Sequence, residues 1–249
     1  MSSRLRSLID EYKYSRELYG KPCRRTEFPL KVLLDGIRWG SLGKYISLSR
    51  KIPGWTRGAE AVALAQASYS LPENAVILEN GCFLGCSTVL LAGARKLRGS
   101  GRIHCVDPFD ASGDSFSTPV YRAISNSLKS SLRRAFDDNI RRAGLSDWVE
   151  VHQGRAHEMA ENWTEPLDLL FLDGDQSYEG VQIAYKSWSP FLKPGGMIAV
   201  HNSAPGSYQP DHDGSMRLVS ETIRHPQYRE VQCIGITTFA RKTTNQVAQ

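Results

Sequence analysis

Residues 76–85 read VILENGCFLG, and this stretch decides the fold. An apolar run ends in the acid Glu79, a turn containing Gly81 and Gly85 follows, and an amphipathic segment begins after it. A strand, a glycine turn and a helix in this order open an α/β sheet in which a ligand can approach the backbone closely. The turn lacks the second glycine of a GxGxxG fingerprint, which disfavours a pyrophosphate cradle and an NAD-dependent reductase.

From about residue 75 onward, short apolar runs alternate with longer amphipathic stretches, which is typical of a parallel sheet covered by helices. The pattern predicts strands at Val76–Glu79, Arg102–Val106, Trp148–His152, Leu167–Leu172 and Met197–Val200, and helices at Ser87–Leu97, Pro119–Ala143, Ala156–Trp163 and Tyr178–Phe191. The run Glu230–Lys242, broken at Gly235, predicts two more strands. We therefore expect a Rossmann-like, doubly wound α/β fold with a mostly parallel seven-stranded sheet and a C-terminal antiparallel hairpin.

The N-terminal part differs in character from the rest of the chain. Residues 1–58 contain helical patterns at Leu5–Leu18 and Leu30–Leu42, and the segment KIPGW that follows breaks any helix. We expect a helical N-terminal extension over 1–58, acting as a lid or dimer element, and a main domain over 59–249 that begins with a helix at Ala59–Ser70. An amphipathic extension is compatible with a homodimer.

Composition excludes several classes of protein. The 249 residues are 41% hydrophobic and 23% charged, which is ordinary for a globular chain and argues against disorder and coiled coil. No stretch reaches the roughly 20 apolar residues that span a bilayer, and the charged N-terminus lacks a secretory signal. Five cysteines at irregular spacing indicate reduced thiols. We expect a cytoplasmic protein without membrane contact.

The positive charge is concentrated in the N-terminal quarter. The net charge is +5, and residues 1–60 hold 13 Lys and Arg against 6 Asp and Glu. This excess is compatible with an acidic or phosphorylated substrate or with RNA. The charges are dispersed among acids, as on an ordinary solvated surface, so nucleic acid is not the favoured partner.

Polar residues also follow the later strands. The second strand ends at Asp107 of VDPFD, where an acid can accept hydrogen bonds from ribose hydroxyls. Gly154 and Arg155 follow the third strand, LDGDQSYEG follows the fourth, and LKPGG precedes the fifth. Since parallel strands present their carboxyl ends at one edge, these groups are expected at one crevice.

In their order and spacing, these segments resemble the class I S-adenosylmethionine-dependent methyltransferases, over about Trp55 to Lys242. The LDGD and IPGW segments look like the branch of small-molecule O-methyltransferases that includes bacterial sugar and antibiotic-tailoring enzymes. The resemblance implies methyl transfer from S-adenosylmethionine to a hydroxyl of a small acceptor, preferably a saccharide or glycosylated metabolite. Two alternatives stay open: an RNA methyltransferase, and a noncatalytic module that retains the cofactor fold.

The resemblance also implies roles for individual residues. The implied cofactor contacts are Glu79, Asn80, Gly81, Gly85, Ser87, Asp107, Pro108, Gly154, Arg155, Ala156 and Asp173. The implied catalytic base is Asp175 or His201, and the implied metal ligands are Asp173, His201 and Asn202. Metal-dependent relatives usually have Asp-Asp or Asp-Asn where this chain has His201-Asn202, which weakens a Mg²⁺ site and favours softer ions such as Mn²⁺. A metal-free histidine base is the alternative.

Each candidate also has a structural explanation. Asp173 and Asp175 could cap the helix at Tyr178, and Asp107 could be a turn acid. His212, in the polar segment PDHDG, is expected at the surface, and His104, His152, His157 and His225 have no motif support. Trp55 could line the acceptor pocket or belong to the core.

Overall fold

The computed structural model describes residues 37–244. Seven strands form one sheet in the order β3-β2-β1-β4-β5-β7-β6, with β1 to β5 parallel and β7 antiparallel to both of its neighbours. The strands are β1 (Val76–Asn80), β2 (Arg102–Asp107), β3 (Val149–Gln153), β4 (Leu167–Leu172), β5 (Leu192–Val200), β6 (Tyr228–Ile234) and β7 (Thr237–Lys242). The predicted fold class is confirmed, including the closing hairpin.

Helices cover both faces of this sheet. They are α1 (Leu42–Ser49), α2 (Gly58–Ser70), α3 (Cys86–Arg98), α4 (Thr118–Ser127), α5 (Leu132–Arg142), α6 (Ala156–Ala160), α7 (Tyr178–Trp188) and α8 (Gly214–Glu221). Side chains alternate along each strand, so Ile77 packs under α1, α2, α3 and α5, while Leu78 packs with α7 and α8 on the other face. Within residues 37–244, no helix has both the length and the apolar character to cross a membrane.

Most predicted boundaries agree with the structure to within two residues. Helices α6 and α7 end at Ala160 and Trp188, three residues before the predicted ends at Trp163 and Phe191. Two further elements differ more. The helix predicted over Pro119–Ala143 is two helices, because Leu128 is extended and Ser131 caps α5 by accepting the Arg134 N–H at 3.3 Å. Strand β5 begins at Leu192 rather than Met197, and its first residue pairs with Leu167 across an irregularity in the β4–β5 register.

Part of the predicted N-terminal extension lies outside the described residues. This applies to Leu5–Leu18, to residues 30–36 of the second predicted helix, and to most of the basic residues that suggested RNA. The part that is described, α1, packs its Tyr45 ring against α3 at Gly93 and belongs to the main hydrophobic core. The boundary at residue 58 stays a prediction.

Gly93→Ala tests this helix contact. A Cβ on Gly93 would lie 2.1 Å from the Tyr45 ring, so we expect a loss of about 1–3 kcal/mol in unfolding free energy, measured by thermal and urea denaturation. Gly206→Ala is the matched control, because a Cβ there meets nothing within 4 Å. Equal stability of the two variants would contradict the tight packing of α1 on α3.

Candidate active site

A cavity of about 180 Å³ opens at the carboxyl ends of β1, β2 and β4. Strand β1 lies between β2 and β4, where the strand order reverses direction, and open α/β sheets bind ligands at such a point. Nine of the sequence-predicted residues line the cavity: Asn80, Gly81, Asp107, Pro108, Gly154, Arg155, Ala156, Asp173 and Asp175. Five others do not: Glu79, Gly85, Ser87, His201 and Asn202.

The turn after β1 passes very close to the end of β4. The Asp173 N–H donates to the Asn80 carbonyl at 2.9 Å, and the Gly81 N–H donates to the Val106 carbonyl at 2.8 Å. Gly81 has φ +90°, and a Cβ on it would lie 2.4 Å from the Asp173 carbonyl oxygen. Only glycine fits this conformation and this approach, which brings Asp173 to the wall of the cavity.

Asp107 serves the backbone of the turn as well as the cavity. Its Oδ2 accepts the N–H groups of Cys82 at 3.0 Å and Phe83 at 2.8 Å, and its Oδ1 accepts that of Phe109 at 2.7 Å. A carboxylate has about four acceptor positions, so capacity for a ligand hydroxyl remains. Burial raises the pKa of Asp107 above its ordinary value. The acid is therefore both a turn residue, as in its structural explanation, and a cavity residue.

Glu79, Gly85 and Ser87 lie beneath the cavity rather than on its wall. Glu79 is fully buried because alternation along β1 turns its side chain towards α3, where it accepts hydrogen bonds from Ser87 and, at 2.6 Å, from Thr88. Burial raises the pKa of Glu79 to about 7. Gly85 precedes α3 with φ +90° and packs against Phe136. In the structure these three residues support the turn from below.

Asp173 and His201 face each other at the ends of β4 and β5. His201 Nε2 lies 3.8 Å from Asp173 Oδ1, and it is buried with no hydrogen-bond partner in the described structure. Burial, with the nearby carboxylates of Glu79 and Glu60, raises the pKa of Asp173 well above its usual range. Burial lowers the pKa of His201. His201 is 1% exposed and does not line the cavity, whereas Asp173 does.

The hydrogen bonds around His201 determine which of its nitrogens carries the proton. Thr237 donates its hydroxyl to Glu60 Oε2 at 3.0 Å, since a carboxylate only accepts. The Thr237 oxygen, 3.1 Å from His201 Nδ1, then accepts from that nitrogen. Neutral His201 is thus protonated at Nδ1, and the lone pair of Nε2 faces Asp173. We infer this tautomer from the network of partners.

Asn202 contacts a histidine, His212, whose burial the sequence did not predict. The amide nitrogen of Asn202 lies 3.4 Å from His212 Nε2, and His212 Nδ1 lies 3.1 Å from Asp114 Oδ1. His212 is 2% exposed, so its predicted surface position is wrong. The segment PDHDG folds inward because Asp114, 98 positions earlier in the chain, supplies a buried carboxylate. No local pattern could have revealed this partner.

Asp175 lies at the exposed side of the cavity. Its Oδ1 accepts the Ser177 N–H at 2.9 Å, and Ser177 in turn caps α7 by accepting the Gly180 N–H at 3.0 Å. The predicted capping role is thus divided: Ser177 caps the helix, and Asp175 shapes the turn before it. Its carboxylate remains at the cavity, where it can contact an acceptor.

Three aromatic side chains form one end of the site. The ring centroid of Trp55 lies 5.7 Å from that of Phe83 and 5.2 Å from that of Tyr121, and the last two are 5.2 Å apart. Phe83 and Tyr121 line the cavity, and Trp55 packs against both. The sequence singled out only Trp55. Tyr121 lies on a helix whose orientation the periodicity did not determine.

A sheet of this order with an acid-lined cavity at its reversal point defines the class of Rossmann-like proteins, which bind their ligands at this position. A family model described as a methyltransferase domain matches residues 78–203, just over half of the chain. The chain belongs to this family. The resemblance to the S-adenosylmethionine-dependent methyltransferases, and with it the predicted enzyme class and cofactor, is confirmed.

Solved structures share the same fold at low sequence identity. Cofactor-bound Rv0187 from MTB is 20% identical with a TM-score of 0.56, over 89% of this chain and 100% of its own. The O-methyltransferase TomG from Streptomyces achromogenes, solved with SAM and involved in tomaymycin synthesis, is 17% identical with a TM-score of 0.51, over 98% and 100%. The SAH-bound methyltransferase PaMTH1 of Podospora anserina is 15% identical with a TM-score of 0.52, over 96% and 88%.

Glu79→Gln tests the buried acid beneath the turn. The folded pKa of about 7 exceeds the ordinary 4.5, so the protonated form favours the native state and stability falls as pH rises from 4.5 through 7. Glutamine does not titrate, so the stability of E79Q relative to wild type should rise by about 3 kcal/mol across that range.

Urea denaturation at a series of pH values measures this difference. Glu73→Gln is the control, because Glu73 is exposed, and its stability should follow that of wild type. Parallel pH curves for E79Q and wild type would show that Glu79 does not bury a proton.

Proposed function

We propose that this methyltransferase transfers the methyl group of S-adenosylmethionine to a hydroxyl of a small acceptor. The observation that carries the proposal is the presence of two partly buried acids at the cavity. Asp107 and Asp173 both line it, and burial raises the pKa of both. A sulfonium is a cation, so a ligand that carries one relieves the repulsion between these acids and favours their charged forms.

The arrangement of the walls supports one orientation of this cofactor. Gly154, Arg155 and Ala156 form the wall assigned to the adenine, and Asp107 offers its remaining acceptor capacity to the ribose hydroxyls. Asn80 and Gly81 then lie beside the methionine part. In this orientation the reactive methyl carbon faces Asp173 and Asp175.

We assign proton removal to the pair formed by Asp173 and His201. Asp173 is at the cavity, and the unprotonated Nε2 of His201 lies directly behind it, 3.8 Å from its carboxylate. Thr237 and Glu60 hold the His201 ring in the tautomer that a base requires. Asp175 lies at the exposed side of the cavity, and we assign it to orienting the acceptor. Water screens the charge of an exposed carboxylate, so Asp175 is less suited than Asp173 to act as the base.

The aromatic group of Trp55, Phe83 and Tyr121 supports a ring-shaped acceptor. Aromatic faces pack well against flat apolar surfaces, and a pyranose presents such a surface through its C–H groups. This agrees with the saccharide or glycosylated metabolite that the sequence resemblance implies. The cytoplasmic location and the homodimer expected from the sequence stay predictions.

The residues Asp173, His201 and Asn202 also fit a divalent cation in part. Within residues 37–244, His201 Nε2 has no hydrogen-bond partner; this buried nitrogen faces a carboxylate, and the two are a suitable pair of ligands for Mn²⁺ or Zn²⁺. Asn202 would ligate through its amide oxygen, while its amide nitrogen lies 3.4 Å from His212 Nε2. A cation held there would make a bound hydroxyl more acidic.

Asp107→Asn tests the cofactor site. Its amide nitrogen cannot accept the backbone N–H groups or a ribose hydroxyl, so we expect S-adenosylhomocysteine to bind about 10- to 100-fold more weakly, measured by titration calorimetry. The exposed Asp147→Asn is the matched control and should bind like wild type. Absence of binding by wild type would reject the proposed function itself.

His201→Gln tests the base. Loss of a positioned base should lower kcat by about 10²–10⁴-fold in methyl transfer to a panel of small saccharides and phenols, with S-adenosylhomocysteine affinity unchanged. His225→Gln, at an exposed position, is the control. Activity equal to wild type in H201Q would exclude this residue from catalysis and, together with an equally active Asp175→Asn, favour a noncatalytic module or a different site.

Chelation separates the two ways in which the pair can act. Wild-type activity that persists after exhaustive chelator treatment means that Asp173 and His201 act without an ion. Activity that is lost and then restored by Mn²⁺, with no restoration in Asp173→Ala, means that they hold a cation.

A further inference from the structure

Three side chains of types that can ligate a metal meet on β2 and β3, outside the cavity. His104 Nδ1 lies 3.0 Å from His152 Nε2, and the Glu150 carboxylate oxygens lie 3.9 Å from the first nitrogen and 3.8 Å from the second. In the part of the chain that the structure describes, no other three His, Cys, Asp or Glu residues have ligand atoms that all lie within 4.8 Å.

The sheet register brings these residues together. Strands β2 and β3 are parallel neighbours, with His104 paired to Glu150 and Val106 paired to His152. Alternate residues of a strand share a face, so Glu150 and His152 lie on the same side of β3, beside His104. Trp163 packs edge-on against both histidine rings, with centroid distances of 4.8 Å and 5.7 Å.

His104 is an unusual residue for its position, because it is 2% exposed in the middle of a strand. Its Nδ1 faces His152 and Glu150. A neutral imidazole has one donor and one acceptor nitrogen, so Nδ1 presents a lone pair to this group when the ring proton is on Nε2. An aliphatic side chain would fill a strand interior without burying a polar ring.

We propose that His104, Glu150 and His152 bind a transition-metal ion of the Zn²⁺ class, with water as the fourth ligand. Two imidazoles and one carboxylate are a common ligand set for zinc. Metal–ligand distances of about 2.0–2.2 Å place tetrahedral ligand atoms roughly 3.3 Å apart, and the three distances here, 3.0, 3.8 and 3.9 Å, bracket that value.

The small adjustment that the ion requires falls on the exposed members of the group. The two facing nitrogens must turn towards a common point, and His152 and Glu150, whose side chains are 25% and 50% exposed, can move while His104 stays in place. The same exposure gives the ion a path from solvent.

An ion at this position would join the edge strand to the cofactor site. Asp107 follows His104 by three residues on β2, and Gly154 follows His152 by two on β3. Coordination across the two strands would fix the relative position of the two loops that form the ribose and adenine walls. This role is independent of whether a cation binds at Asp173 and His201.

Untagged, chelator-treated protein carrying His201→Gln tests the site, since that substitution removes the histidine of the other candidate metal site. We expect Co²⁺ to produce the intense visible absorption of tetrahedral coordination, and a hundredfold excess of Zn²⁺ over its Kd to raise Tm by about 5 °C or more. Adding His152→Ala should abolish both effects, whereas adding the exposed His225→Gln should leave them unchanged.

Glu150→Gln provides a second variant at an exposed position, in case the histidine substitution impairs folding. In the same His201→Gln background it should weaken Co²⁺ binding at least tenfold without altering the far-ultraviolet circular dichroism. Absence of Co²⁺ absorption at micromolar metal, or absorption that survives His152→Ala and Glu150→Gln, would overturn the proposal and leave a hydrogen-bonded histidine pair.

Discussion

The close approach of the β1 turn to the end of β4 is the constraint on which the site depends. Gly81 leaves no space for a side chain next to the Asp173 carbonyl, with a contact of 2.4 Å for a Cβ. This contact places the end of β4 beside the turn that Asp107 holds from the β2 side. Two acids from strands on opposite sides of β1 therefore face one cavity, which no single segment of sequence could arrange.

Several carboxylates in this region have structural and chemical roles at once. Asp107 accepts three backbone N–H groups and still faces the cavity. Glu79 accepts hydrogen bonds from α3, and its charge raises the pKa of Asp173. Glu60 accepts from Thr237 and from the Ile236 N–H, which ties α2 to the hairpin and orients His201. The stability of the fold and the electrostatics of the site are therefore coupled through the same residues.

Positions of site residues that follow from local rules could be predicted from the sequence. Positions that depend on contacts between distant residues could not. The positions of Asp107 and Asp173 at the cavity follow from strand ends in a parallel sheet. Alternation along β1 also places Glu79 on the same face as Ile77, under α3. The buried position of His212 and the link from Thr237 to Glu60 depend on residues 98 and 177 positions away. No periodicity or motif encodes such pairs, and the same holds for the register that brings His104 to Glu150.

The charge balance of the proposed reaction explains why a buried, easily protonated acid belongs at this cavity. Transfer of a methyl group to a hydroxyl converts a sulfonium into a neutral thioether and releases one proton. Asp173, whose pKa burial and neighbouring acids raise, can accept that proton as the positive charge leaves the sulfur, with the lone pair of His201 behind it. Before transfer, the positive charge of the sulfonium compensates the acids of the cavity. After transfer, the released proton does so. A carboxylate with an ordinary pKa would bind that proton less readily once the sulfonium is gone, so the raised pKa of Asp173 suits the proposed mechanism.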